Sequence, residues 1–141
     1  MVRVFQCLSL ASLVSIAFVG CLFQPPVMEA ALRGLNLDEA RRLVVAALGP
    51  KVEKLPKFGV DLEYNQDDAD FYRFEATWDN PGGSVLIGFF GVNRATGDVW
   101  RLVPCEKVGS GRLRRLQKEL RRKIGLKAIE RRELDKAPCE N

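Results

Sequence analysis

No histidine occurs among the 141 residues, and that absence removes much of the usual side-chain chemistry. Without imidazole there is no Ser-His or Cys-His nucleophile pair, and the commonest general base and zinc ligand are missing. Carboxylates, lysine and tyrosine remain. The acidic cluster is Asn65-Gln66-Asp67-Asp68-Ala69-Asp70, with Glu75 a few residues on. An enzyme would have to draw on Asp67, Asp68, Asp70 or Glu75. Three close aspartates also invite a calcium reading. The glycine and terminal glutamate of an EF-hand loop are absent, however, so a solvated turn is the better assignment. No catalytic residue, metal site or cofactor is assigned.

Cysteine chemistry is more informative. The four cysteines are Cys7, Cys21, Cys105 and Cys139. Arg3 followed by the apolar run Val4 to Val19 has the order of an export signal. Its end, Phe18-Val19-Gly20-Cys21, resembles a bacterial lipobox, with Gly20 as the small residue before the cut and Cys21 as the lipidated thiol. Phe18 stands where leucine is usual, and it also disfavours the ordinary signal peptidase, which wants small residues at both −1 and −3. Two alternatives stay open. Val4 to Phe23 is long enough to span a bilayer uncleaved, about 20 apolar residues being sufficient. Cleavage near Ala30 and Ala31 is the other. The lipobox reading divides the chain into a signal over 1–20, a lipid-anchored tether over 21–35 stiffened by Pro25 and Pro26, and a domain over 36–141. It places the protein in a bacterial cell envelope, on the periplasmic side, held to the membrane through Cys21.

With Cys7 in the signal and Cys21 acylated, Cys105 and Cys139 are left over. An even pair in an oxidising compartment reads as a disulfide, and neither thiol has a histidine to activate it. By loop entropy such a bridge would stabilise the fold by about 3–4 kcal/mol.

The third set is cationic. The net charge is only +4, but Arg112, Arg114, Arg115, Lys118, Arg121, Arg122 and Lys123 crowd one segment against a lone Glu119. Arg114, Arg115, Lys118, Arg121 and Arg122 are the candidate binding residues. Anionic lipid, an acidic wall polymer or a protein partner would suit them, whereas an exported protein argues against nucleic acid. A solvated helix back is the plainer reading.

The elements that must hold these residues are α+β in pattern. Asn36 and Glu39 make a capping box, and Leu37, Ala40, Leu43, Val44, Ala47 and Leu48 form a helical stripe ended by Gly49-Pro50. Phe58 to Tyr64, Phe71 to Trp78, Ser84 to Asn93 and Asp98 to Val103 read as about four antiparallel strands. Asp79 to Gly83 and Arg94 to Gly97 are the turns between the last three. Ser84 to Asn93, more uniformly apolar, reads as covered on both sides. Pro104 to Glu106 leave the sheet. A second helix opens at Ser110 or Gly111 and closes at Gly125, its stripe of Leu113, Leu116, Leu120 and Ile124 packed on the sheet. A short helix through Ile129 and Leu134 ends the pattern.

The segment Val92 to Trp100, VNRATGDVW, resembles the hairpin of PepSY-type domains, and the helix-then-sheet order from Asn36 to Val103 is similar to theirs. Cystatin-like sheets are a looser likeness. The resemblance implies a non-catalytic envelope module that binds or restrains peptidases, and no catalytic residues. The expected function is therefore an exported, lipid-anchored protein that binds or inhibits a partner such as a peptidase, through the Asp79–Gly83 or Arg94–Gly97 turn. The alternative is an envelope-maintenance lipoprotein whose basic helix contacts anionic lipid or wall polymer.

Overall fold

The computed structural model describes residues 34–64 and 68–139. The signal, Cys21, most of the tether and Asp67 lie outside them. Helix α1, Leu37–Leu48, begins as expected: Asn36 Oδ1 accepts from the Glu39 amide at 2.9 Å, and a Glu39 carboxylate oxygen accepts from the Asn36 amide at 3.1 Å. The helix sends Ala40, Leu43 and Val44 into the core. The core also takes Leu35, from the end of the stretch read as tether. Leu35 is buried and its amide donates to the Arg94 carbonyl at 2.7 Å.

Five strands follow as one antiparallel meander: β1 (Gly59–Leu62), β2 (Phe71–Asn80), β3 (Gly83–Asn93), β4 (Val99–Arg101) and β5 (Glu106–Lys107), each paired with the next. Alternation along β2 buries Phe74 and Ala76 as its pattern requires. A bulge between Ala76 and Thr77 shifts the register, so that Ala76 faces Gly88 while Thr77 faces Leu86. The uniformly apolar β3 is fully covered only from Phe90 to Asn93, and Leu86 near the turn is half exposed. The fifth strand corrects the count of about four. The chain turns at Val103 to Cys105 and returns to pair Trp100 with Lys107 and Arg101 with Glu106. Two residues are too few to show a period, so no pattern announced it.

Helix α2, Gly111–Ile124, starts with the Ser110 hydroxyl accepting from the Leu113 amide at 3.1 Å and ends at Gly125 in left-handed geometry. Its buried stripe is Leu113, Gln117, Leu120 and Ile124, with Leu116 partly covered. It lies beside α1 and meets the sheet at the β3–β4 turn. Phe74, Phe90, Leu43, Val44, Leu113, Val92 and Val99 are the largest apolar side chains that the resulting core buries completely. The short helix α3, Ala128–Glu133, is turned otherwise than its apolar residues suggest: Glu130 is buried and Ile129 is exposed. The Cys105–Cys139 disulfide closes the tail onto the end of the sheet, with Pro138 against Gly91.

Candidate binding surface

The β3–β4 turn spends its polar groups on itself and its neighbours. Asn93 Oδ1 accepts from the amides of Ala95 and Thr96 at 3.0 and 2.9 Å, and the Thr96 hydroxyl accepts from the Asp98 amide at 3.2 Å. Asn93 Nδ2 donates to the Leu134 carbonyl at 3.1 Å. From α2, Gln117 donates to the Gly97 carbonyl at 2.8 Å and Arg121 Nε to that of Thr96 at 2.6 Å. Gly97 has φ of +69°, and a Cβ there would meet Leu35 at 3.0 Å and Leu43 at 3.2 Å. Thr96, Gly97 and Asp98 are buried. Of the Arg94–Gly97 turn, one of the two expected to carry binding, Thr96 and Gly97 are therefore closed to a partner by α1, α2 and the tail, while Arg94 and Ala95 stay half-buried. Arg94 itself stacks its guanidinium 4.2 Å from the Tyr72 ring centroid.

Beneath that turn sits a charge cluster that the sequence did not show. Asp98 is 2% exposed, and its Oδ1 lies 2.8 Å from Arg121, 3.4 Å from Lys107 and 3.9 Å from Arg131. Three elements thus converge on one carboxylate. Burial pulls the Arg121 guanidinium below its ordinary value, while Asp98 opposes that shift and the nearby Arg131 adds to it.

The sequence-selected cations separate onto two sides of α2. Arg114, Lys118, Arg121 and Arg122 line an open groove of about 870 Å³ whose far wall carries Lys127, Arg131 and Arg132. Asp135 is the acid on this lining, and it is already bonded to Lys107 at 2.6 Å. Among the described residues, Arg114, Lys118, Arg122 and Arg132 pair with no acid. Arg115 faces instead a smaller groove of about 570 Å³ between α1 and α2, with Arg41, Arg42, Arg112, Glu53 and Glu119. There Arg112 bonds Glu53 at 2.8 Å. Lys127, Arg131 and Arg132 were missed as site residues. The four-residue step from Lys127 to Arg131, which puts two cations on one side of a short helix, was the available signal.

Of the acids weighed for catalysis, Asp68, Asp70 and Glu75 are described. Asp68 accepts from the amides of Asp70 and Phe71 and pairs with Arg73 at 3.3 Å. Asp70 faces Lys136 at 3.5 Å, and Glu75 sits in mid-strand opposite Asp61 and Phe89. The Asp79–Gly83 turn is exposed from Pro81 to Gly83. The Ser84 hydroxyl hydrogen-bonds the Asp79 carboxylate, and that bond, with the Lys57 ammonium, holds its carboxyl below the ordinary value. No described helix is long and apolar enough to cross a membrane.

No protein-family model matches the chain, and no curated protein matches it. Among solved structures, it is similar to a chain of a type VI secretion system effector–immunity complex from Pseudomonas protegens, with a TM-score of 0.56 and 23% identity. The match covers 77% of this chain and 92% of that one. That likeness shows a shared fold. The two chains have in common a small α+β architecture, of which the five-stranded antiparallel sheet is this protein's framework.

Proposed function

We propose that this chain is a non-enzymatic, exported envelope protein that binds a partner protein and neutralises it, in the manner of an immunity protein. The observation that carries the reading is the likeness, over most of both chains, to a component of an effector–immunity complex. Fold alone does not carry function, so the surface must supply the rest. It supplies a groove lined by cations, four of which pair with no acid among the described residues, and an exposed β2–β3 turn, on a body stapled by a disulfide and a buried charge cluster. The resemblance of Val92–Trp100 to PepSY-type hairpins supports a peptidase as the neutralised partner. The lipobox-like Phe18–Cys21 supports delivery to the periplasmic side of the envelope, with Cys21 acylated.

The test is crosslinking of the tagged protein in intact cells, followed by affinity capture, run beside Cys21→Ser. One protein recovered with both versions is the expected result, the anchor then serving only for delivery. Recovery of lipid or wall material alone would sink the reading. The envelope-maintenance alternative draws on the cations of α2. It requires capture of lipid or wall polymer to vanish on charge reversal at Arg114, Arg115, Arg121 and Arg122.

A further inference from the structure

We infer that the groove between α2 and α3 is the site that receives the partner, and that its occupant is a carboxylate-rich segment of a protein. This rests on the partner-binding reading and gives it a location and a chemistry.

Seven cations line the two walls, and the one acid among the lining residues is already committed to Lys107. Such a concentration in a concave site focuses potential and attracts an anion. Five of the seven are arginines, whose planar forks pair bidentately with carboxylates. Part of the site is already positioned, because Asp98 holds Arg121 at 2.8 Å and lies 3.9 Å from Arg131. Holding side chains in place before binding lowers the ordering cost of association.

Geometry favours a protein segment over a lipid surface. Helices that lie in a membrane interface present a broad apolar face to the acyl region. The apolar stripe of α2 is used up in the core, and among the described residues of α2 and α3 only Ile129 is a large exposed apolar side chain. A planar headgroup layer would reach the rims of the groove and leave Arg121, 15% exposed in its side chain, untouched. A protruding acidic loop or helix would reach it.

The test uses full-length Cys21→Ser protein and two probes, a fluorescent octaglutamate peptide and vesicles containing phosphatidylglycerol. The variant is the triple reversal Lys118→Glu, Arg122→Glu and Arg132→Glu, chosen from exposed residues outside the Asp98 cluster. Arg42→Glu with Arg112→Glu, on the groove at the other side of α2, is the control, and circular dichroism checks that both fold. The expected result is peptide binding that weakens with salt and falls at least about tenfold in the triple variant, with the control within about threefold of the parent. Equal loss in both variants, or vesicle binding that is the stronger and is abolished by the triple reversal, would overturn the inference. The two proposals fail separately. A groove that binds the peptide while cells yield no protein partner defeats the functional reading. A captured partner whose affinity ignores the triple reversal defeats the groove.

Discussion

Removing Asp98 should be among the most damaging single changes this fold can suffer. The carboxylate is 2% exposed and faces three cations, but those cations are not equally dependent on it. The Lys107 and Arg131 side chains are 33% and 44% exposed, so water can solvate them once the acid is gone. The Arg121 side chain is 15% exposed, and it would keep only its bond to the Thr96 carbonyl. Stranding one buried charge costs about 3–5 kcal/mol, and a partly wet neighbourhood argues for about 3 kcal/mol. For a domain of this size that is a fall of roughly 12–24 °C in Tm. Asp98→Ala and Asp98→Asn should both show it in urea and thermal melts followed by circular dichroism, on the oxidised Cys21→Ser protein. Adding Arg121→Met to Asp98→Ala should recover part of the loss, because the stranded charge goes with it, leaving a coupling of about 1–3 kcal/mol. A loss under about 1 kcal/mol for Asp98→Ala, or strict additivity in the double variant, would mean that Arg121 does not depend on Asp98 for its charge.

Reducing the Cys105–Cys139 bridge, which spans a separation of 34 residues, should lower stability by about 3–4 kcal/mol, read as a shift of the urea midpoint with and without reductant. Asn36→Ala should cost about 1 kcal/mol through loss of the α1 cap, measured by the same melts. Gly97→Ala should also destabilise, by at least about 1 kcal/mol, since φ is +69° and Leu35 and Leu43 stand in the way of a Cβ. Glu39 gives a pH dependence. Its hydrogen bond from Lys123 holds its carboxyl below the ordinary 4.5, with the Asn36 amide helping and burial opposing. A depressed folded value means stability that is present above the unfolded value and lost as pH falls through the folded one. Glu39→Gln should therefore flatten the loss of stability on acidifying below about 4.5 and leave the slope near neutrality unchanged.

Local devices were the legible part of this chain. The capping box at Asn36 and Glu39, the alternation from Tyr72 to Ala76 and the Thr96-Gly97 turn each announce themselves within a few residues, and each is found where the sequence puts it, whereas Trp78 stays outside the core that the same alternation points it to. The pairing of Cys105 with Cys139 was also open to elimination, given the compartment assigned. What sequence could not show depends on elements distant in the chain. Asp98 reads only as the first residue of the last strand, and it is buried because α2 and Lys107 arrive over it. The five cations chosen from α2 looked like one face, yet the approach of α1 on one side and α3 on the other divides Arg115 from Arg114, Lys118, Arg121 and Arg122. Strand β5 needs the β4 edge to exist before two residues can pair with it.

Neutralisation of a partner protein is read from a titration of that partner with the chain. The protein captured by crosslinking would be purified and its own activity followed as full-length Cys21→Ser chain is added. Activity should fall to background as the chain reaches one equivalent, with the groove triple variant needing a clear excess. A partner that stays active under excess chain would contradict neutralisation.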